Sequence, residues 1–171
     1  MFDVRLVDLG KVEDFLNTLK KRFRDLRPFW RRILTSLVIS EVEEIFQTEG
    51  RGRWAPLSED YAEKKRQERP GKTILRYDDR ILNSLETEGA FGNIAEFKPQ
   101  YMVWGLDAES FRQYGDGEPY PRYHEEGLGV PRRAIFDRIL WGGRFERNVQ
   151  SLGEKWSDNV IMEAERHHGF A

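Results

Sequence analysis

The chain has 171 residues and a mass of 20.3 kDa, which suits one domain with a single hydrophobic core. Its 28 basic and 30 acidic residues nearly cancel, so the net charge of −2 carries no overall signature of nucleic-acid binding. The absence of cysteine excludes disulfides, thiolate catalysis and cysteine-ligated zinc. The sequence lacks the ~20-residue apolar run of a membrane span, and its first ten residues lack the regions of a secretory signal, so we expect neither.

Two amphipathic helices are predicted in the first third of the chain. Residues 11–26 have apolar side chains at helical spacings of three and four: Val12, Phe15, Leu16, Leu19, Phe23 and Leu26. Because an interior proline removes a helical hydrogen bond at a cost of about 3 kcal/mol, Pro28 predicts either a kink or a new helix with the proline in its first turn. The stretch after Pro28 has the broader apolar face and is predicted to lie deepest in the core. That face consists of Phe29, Trp30, Ile33, Leu34, Leu37, Val38, Val42, Ile45 and Phe46.

Residues 20–32 carry the strongest local charge bias in the sequence. Against one acid, Asp25, they contain the cations Lys20, Lys21, Arg22, Arg24, Arg27, Arg31 and Arg32. One interpretation is a solvated helix face whose cations pair with acids of neighbouring subunits or with the acidic run Glu41, Glu43 and Glu44. The other is a patch that faces DNA phosphates, for which charge alone is sufficient.

The segment 46–57, with the sequence FQTEGRGRWAPL, is the junction around which the chain is predicted to be organised. Gly50 and Gly52 allow positive φ just past a helix end. Ser58 is predicted to be the N-cap of a short helix that runs to residue 67. Trp54 is predicted to close the core beneath the loop, and it would be an interface anchor only if it stayed partly exposed.

The middle of the chain alternates turns with short elements. Pro70-Gly71 predicts a type II turn, and a second short helix is predicted from about Asp79, with Asp78 as its cap. Its residues Ile81, Leu82 and Leu85 are expected to pack on the long helix. Residues 95–97 and 101–105 are rich in β-branched and aromatic side chains and predict a β-hairpin.

Residues 107–121 are rich in Gly, Asp and Pro and predict a long surface loop, which would serve as an interaction arm. Residues 131–136 predict a last strand. A C-terminal helix over 144–168 is predicted from an apolar face of Phe145, Val149, Leu152, Trp156 and Val160 with Met162 or Ala164.

These elements predict a single α+β domain over residues 1–171, in which a long N-terminal helical segment and a C-terminal helix pack on a small antiparallel sheet. Residues 10–85 are expected to be helical and residues 86–140 to be rich in β-structure.

Candidate catalytic groups are few. His167 and His168 lie at a chain end that is expected to fray, which leaves His124 in the run Tyr123-His124-Glu125-Glu126. That run lacks the second histidine of a zinc-protease helix, and Gly50-Arg51-Gly52 lacks the glycines of a phosphate-binding loop. We therefore expect no enzyme activity, no cofactor and no metal. We expect His124 to hydrogen-bond a backbone group or a neighbouring subunit.

Three stretches resemble the phage virion morphogenesis and tail-completion family. The first is a helix ending in Phe46, a glycine-rich turn, Trp-Ala-Pro-Leu-Ser from residue 54, and Tyr-Ala-x-Lys-Lys from residue 61. The second is Ile74-Leu75 followed by Arg80-Ile81-Leu82-x-Ser84-Leu85, and the third is Tyr123-His124-Glu125-Glu126-Gly127 followed by Val130-Pro131-Arg132-Arg133. The matching positions are Gly50, Trp54, Pro56, Leu57, Leu75, Leu82, Ser84, Tyr123, His124, Gly127, Pro131 and Arg132.

The resemblance covers residues 35–140 and has three departures. Asp79 stands where the family usually has glycine, Arg122 replaces an alanine, and Ala134 replaces the second proline of the last motif.

The resemblance implies a structural virion protein that completes or connects the phage tail at the head-tail interface. It implies a ring-forming subunit, in a hexamer, that is made in the bacterial cytoplasm and located in the tail or neck. Its partners would be other neck and tail proteins and, non-specifically, passing DNA, with no membrane and no small-molecule substrate. The alternative is a helical nucleic-acid-binding protein that uses the basic stretch 20–32. A connector would form a discrete oligomer indifferent to DNA sequence, whereas a regulator would protect one site from cleavage.

Overall fold

The computed structural model describes residues 9–112, 119–136 and 143–170. Helices at both ends of the chain and short helices between them accompany a two-stranded antiparallel sheet, which confirms the predicted α+β class. None of the helices in these described ranges is both long and apolar enough to cross a membrane.

The N-terminal part consists of α1 (Leu9–Arg24) and a second, uninterrupted helical segment. That segment contains α2 (Arg27–Phe29), a π-helical stretch (Trp30–Leu34) and α3 (Thr35–Gln47). Pro28 lies in the first turn of α2, where a missing N–H costs nothing, so the new-helix alternative is confirmed. In the π-helical stretch, the N–H and the hydroxyl of Thr35 both donate to the carbonyl of Trp30.

The hydrophobic core is built around α3, as its apolar face predicted. Val42, Ile45 and Phe46 are fully buried, and α5 (Arg80–Glu86) packs against them through Leu85. The other members of the buried cluster are Val38, Trp54, Ile74, Leu75, Ile81, Leu82, Phe111, Ile135 and Phe145. Segments far apart in sequence therefore share one core.

The predicted hairpin is confirmed as β1 (Asn93–Phe97) and β2 (Met102–Leu106), which pair antiparallel with Ala95 opposite Trp104. Its attachment to the helices is specific, because the Trp104 indole N–H donates to the Leu85 carbonyl at 2.8 Å. At the other end of the hairpin, the Leu26 N–H donates to the Pro99 carbonyl at 2.9 Å. The sheet is thus joined both to α5 and to the break between α1 and α2.

Helix α7 (Gly143–His168) runs antiparallel to α1. Phe23 packs edge-on against Trp156, and near the opposite end Thr18 hydrogen-bonds His168 at 3.1 Å. His168 is therefore held by α1, contrary to the expected fraying. Ala164 is fully buried whereas Met162 is 47% exposed, which decides between the two residues proposed for the apolar face of this helix. Helix α1 itself contributes no buried residue to the core.

The predicted strand at residues 131–136 is wrong. These residues form no strand, because their N–H groups bond to α6 (Tyr120–Glu126) instead of to a neighbouring strand. The Arg133 N–H donates to the carbonyl of His124 at 2.7 Å, and the Ile135 N–H donates to the carboxylate of Glu125 at 2.7 Å. The described part of residues 86–140 therefore contains one hairpin followed by helical turns.

The predicted surface loop at residues 107–121 is wrong at both of its ends. Residues Ala108–Phe111 form a 3₁₀-helix capped by the carboxylate of Asp107, and Phe111 is only 5% exposed. Pro119 and Pro121 are buried as well, and α6 already begins at Tyr120. Because these apolar side chains join the core, they fix the ends of the segment, while residues 113–118 lie outside the described residues.

Candidate functional site

The junction after α3 is the centre of the candidate site. Its residues 49–52 all have positive φ, between 49° and 73°. The N–H of Gly50 donates to the Ile45 carbonyl at 2.7 Å and that of Gly52 to the Thr48 carbonyl at 2.9 Å, so the turn closes the helix end. A Cβ atom on Gly50 would lie 2.4 Å from Cδ1 of Trp54, whereas one on Gly52 would meet open space. Gly50 is therefore required by both conformation and packing.

Trp54 closes the core below this turn, as the first of its two interpretations predicted. The side chain is 7% exposed, and its ring packs edge-on against Phe46 with centroids 5.5 Å apart. Its indole N–H donates to the carbonyl of Ala134 at 3.1 Å. The tryptophan of the first motif is thus bonded directly to the segment that follows the third.

Residues 55–58 continue the link to the third motif. The Arg133 guanidinium donates to the carbonyls of Ala55 and Pro56 at 3.0 and 3.1 Å. Ser58 stands at the predicted N-cap position of α4 (Glu59–Glu68), but its hydroxyl makes no capping hydrogen bond. The sequence therefore predicted the position of the N-cap residue correctly, but the Ser58 side chain does not stabilise the helix by a capping hydrogen bond.

The second motif contains two non-glycine residues in the left-handed region, Leu75 and Asp79, with φ of 62° and 58°. Glycine, which the resemblance leads us to expect at position 79, would adopt positive φ without steric cost. In this chain, the Asp79 carboxylate pairs with Arg76 at 2.8 Å and with Lys72. The hydrogen bond from Arg76 lowers the pKa of Asp79. These bonds fix the aspartate in a conformation that it adopts more readily than most residues.

The remainder of the second motif lies in or beside the core. Leu75, Leu82 and Ser84 are buried. The turn before them has the predicted type II features, because Gly71 has φ +76° and the Lys72 N–H donates to the Arg69 carbonyl at 3.2 Å. The Asp78 carboxylate accepts from the Arg80 N–H at 3.2 Å, so it does stabilise the start of α5, although Asp79 is the N-cap residue.

The third motif folds as one unit. Gly127 ends α6 in a left-handed conformation, and a Cβ there would lie 3.1 Å from Cβ of Arg132. The Arg132 guanidinium donates to the carbonyl of Glu125 at 2.8 Å. Tyr123 supplies the carbonyl that accepts from Gly127, while Pro131 is exposed and lines the pocket described below.

His124 makes no side-chain hydrogen bond to a backbone group of the described residues, whereas the alternative, a bond to a neighbouring subunit, stays a prediction. Its Nδ1 atom is buried and has no hydrogen-bond partner among the described residues, although its backbone carbonyl accepts from Arg133. Burial, together with the charge of Arg133, lowers the pKa of His124 to about 4. The imidazole is therefore neutral at physiological pH.

The low pKa predicts a pH dependence of stability that His124→Gln should remove. An unfolded histidine titrates near pH 6.5, so between pH ~6.5 and ~4 the unfolded chain binds a proton that the folded chain does not. The free energy of unfolding should fall as the pH is lowered through this range, by up to about 3 kcal/mol more in the wild type than in the variant. Urea unfolding at several pH values measures the difference.

Comparing the wild type with His124→Gln separates the effect of His124 from that of the other groups whose pKa values are shifted. Arg76 and Arg144, respectively, lower the pKa values of Asp79 and Glu44, and burial raises that of Glu86, but these groups are common to both proteins. If the free energy of unfolding had the same pH dependence in the wild type and in His124→Gln, the assignment of a neutral, buried His124 would be contradicted.

A pocket of about 360 Å³ is lined by α4, by α6 and by residues of all three motifs. Lys65 and Arg133 line it and are only 5% and 4% exposed. Neither residue was predicted from the sequence to belong to a site. The signal for Lys65 was its helical spacing from Tyr61 and Ala62, which places it on the inner face of an otherwise polar helix. Other lining residues are Pro56, Leu57, Ser58, Ile74, Leu75, Tyr77, Tyr120, His124, Val130 and Pro131.

The acidic run pairs with cations other than those of the basic stretch, so that part of our interpretation was wrong. Glu41 is buried and bonds to Arg51 and, at 2.8 Å, to Arg144; Glu44 contacts the same two arginines. The hydrogen bond from Arg144 lowers the pKa of Glu44. This cluster joins α3, the junction and the start of α7.

The basic stretch divides into paired and unpaired cations. Arg22 pairs with Glu163 at 2.5 Å, Arg27 with Asp25 at 2.6 Å and Arg31 with Glu88 at 3.2 Å. The other four cations of the stretch, Lys20, Lys21, Arg24 and Arg32, are exposed and form no ion pair with the described residues. The surface available for an external anion is therefore smaller than the sequence suggested.

Comparison with known protein families, curated proteins and solved structures finds no match to this chain. In residues 9–112, 119–136 and 143–170, no group of three or more His, Asp or Glu side chains is placed to hold a metal ion. The geometry of the motif residues is thus what bears on function. It joins the first motif to the third by hydrogen bonds and places residues of the second in the same core.

Proposed function

We propose that this protein is a structural subunit of a tailed-phage virion that completes or connects the tail at the head-tail interface. The observation that supports the proposal is the convergence of the three resembling stretches. Trp54 from the first stretch bonds to Ala134, next to the third, and Leu75 and Leu82 from the second stretch lie in the same core. The proposal therefore rests on the resemblance of the three stretches, whose residues lie in one buried unit.

Exposed apolar side chains on the paired helices α1 and α7, and just past the end of α7, favour assembly into an oligomer. Leu9 is 82% exposed and Leu16 is 56% exposed, while Met162 and Phe170 are more than 40% exposed. Such side chains supply contact area for another subunit. A head-to-tail contact between identical chains must either close into a ring or continue as a filament, and a conduit for DNA requires closure. The proposed assembly is therefore a closed ring in contact with other neck or tail proteins, and the resemblance implies that the ring has six subunits.

Deletion of the gene in the strain that carries it tests the proposed role. We expect capsids and tails to accumulate unjoined or incomplete, and we expect expression of the wild-type chain in trans to restore joined, infectious particles. Electron microscopy of the lysate and plaque counts measure both. Normal yields of joined particles from the deletion strain, together with wild-type particles in which mass spectrometry finds no copy of this chain, would refute the role.

The unpaired cations of the basic stretch favour non-specific DNA contact as a second activity. Replacing Lys20, Lys21, Arg24 and Arg32 by glutamine should weaken DNA binding and reduce the slope of log K against log salt by about 0.9 for each phosphate that the variant no longer neutralises. A matched control replaces Arg53, Lys98, Lys155 and Arg166, which are exposed, form no ion pair with the described residues and lie outside the stretch. Fluorescence anisotropy with a DNA duplex measures both variants.

Equal slopes in the two quadruple variants would contradict a DNA-facing role of the stretch. Footprinting separates the remaining alternative, a DNA-binding regulator, from a connector. Protection of one sequence at physiological salt would favour the regulator, whereas binding without sequence preference fits a protein in contact with passing DNA.

A further inference from the structure

The pocket beside the junction contains two buried cations without a directly paired acid. Lys65 and Arg133 are each more than nine-tenths buried, and neither forms an ion pair with any carboxylate of the described residues. Glu49 is among the acids whose charge acts on both cations, but its carboxylate accepts from the Ile74 N–H at 3.0 Å. A buried charge without an opposite charge in contact is costly, and an anion that entered the pocket would lower this cost.

Backbone carbonyls satisfy only part of the donor capacity of these cations. Lys65 donates to the carbonyl of Thr73, and Arg133 donates to the carbonyls of Ala55 and Pro56. Lysine has three N–H donors and arginine has five, so N–H groups of both remain for a ligand. Burial lowers the pKa of both side chains, which is the expected response to insufficient negative charge nearby.

The remaining polar groups that line the pocket add no negative charge. The imidazole of His124 is neutral, and its Nδ1 atom is buried without a partner among the described residues. Tyr120, which also lines the pocket, has a pKa raised to about 12 by burial, so its hydroxyl keeps its proton. A pocket rich in donors and positive charge is complementary to an anionic acceptor.

The walls decide which kind of anion fits. Leu57, Ile74, Leu75 and Val130 line the pocket together with aromatic rings, so most of its surface is apolar. A phosphate needs polar groups on all sides, whereas a carboxylate carries one anionic end on an apolar body. We propose that this pocket is a binding site for a carboxylate, in which Lys65 and Arg133 bind the anionic end and the apolar walls hold the rest of the ligand.

The carboxylate has two possible sources with the same chemistry: a free small molecule, or an acidic side chain or chain end of another protein subunit. The site itself is independent of the proposed virion role. Both sources predict that an aromatic carboxylate enters the pocket, so phenylacetate is a suitable probe. Phenylacetamide has the same shape without the charge and is the matched control ligand.

Titration of the isotope-labelled protein, followed by NMR, tests the site. We expect phenylacetate to cause saturable shifts in the amides of lining residues such as Ile74 and Leu75. Phenylacetamide should bind at least about tenfold more weakly, because charge-assisted hydrogen bonds are the stronger ones. Inorganic phosphate should cause no saturable shift in the same residues.

Lys65→Met should weaken phenylacetate binding by at least about tenfold. Lys64→Met removes the same charge from an exposed neighbour on α4 and should leave binding unchanged. If Lys65→Met does not fold, the comparison of phenylacetate with phenylacetamide in the wild type still decides. Equal binding of these two ligands, tighter binding of phosphate, or no binding at all would overturn the proposal.

NMR spectra of the isotope-labelled protein at a series of protein concentrations distinguish a free carboxylate molecule from a carboxylate of a second subunit. If a second subunit supplies the carboxylate, the lining residues should shift with protein concentration, and phenylacetate should reverse those shifts by competition. If the ligand is a free molecule, phenylacetate should bind with the same affinity at all protein concentrations. Concentration-dependent shifts in these residues that phenylacetate does not reverse would count against the carboxylate site.

Discussion

Replacing Trp54 by alanine is expected to lower the free energy of unfolding by about 3–5 kcal/mol, the usual cost of truncating a buried aromatic side chain. The residue is 7% exposed, packs on Phe46, and is the donor to the Ala134 carbonyl. The substitution would leave both a cavity and a carbonyl without its partner. Equilibrium unfolding in urea, followed by far-UV circular dichroism, measures the change.

Trp30→Ala is the matched control for Trp54. Trp30 is only partly buried, and its indole donates to the Lys98 carbonyl near the surface, so its loss should cost less. A Trp54→Ala protein with an unchanged unfolding midpoint but lost assembly would show that the tryptophan is an interface anchor. Trp54→Phe would then separate the effect of the indole N–H from that of the ring.

Gly50→Ala is expected to destabilise the protein for two independent reasons. The residue has φ +71°, and a left-handed conformation costs a residue with a Cβ about 1–2 kcal/mol. The new methyl group would also lie 2.4 Å from Cδ1 of Trp54, and overpacking of this kind costs about 1–3 kcal/mol. The total expected loss is about 2–5 kcal/mol.

Gly52→Ala separates the two contributions, since Gly52 has φ +73° but open space at its Cβ position. It should lose only the conformational part, about 1–2 kcal/mol. Differential scanning calorimetry of both variants gives the comparison. Equal melting temperatures for Gly50→Ala and Gly52→Ala would mean that the indole moves away from the new methyl group at little cost.

The junction and the third motif depend on each other. Arg133 and Ala134 are consecutive residues, and both bind to the junction. The arginine donates to the carbonyls of residues 55 and 56, and the alanine carbonyl accepts from Trp54. A distortion at Gly50 that displaces Trp54 should therefore also disturb the carboxylate pocket, which Arg133 lines.

The elements predicted most accurately were those with local causes. The apolar periodicity identified α1, α3 and α7, and the type II turn followed from Pro70-Gly71. The two strands were found from their β-branched and aromatic residues because their partner lies only a few residues away. In each case the signal and the interaction that stabilises the element lie within one short stretch of sequence.

The α+β class, the long core helix and the junction at Gly50 and Trp54 could be predicted from the sequence, because spacing and backbone conformation depend on neighbouring residues. The pairing of residues 131–136 depends on the tertiary structure, since their N–H groups find acceptors on α6 instead of a strand. It also decided that Glu41 pairs with Arg144 and that Lys65 and Arg133 are buried. Burial and ion pairing depend on which distant segments meet, and no local pattern specifies that.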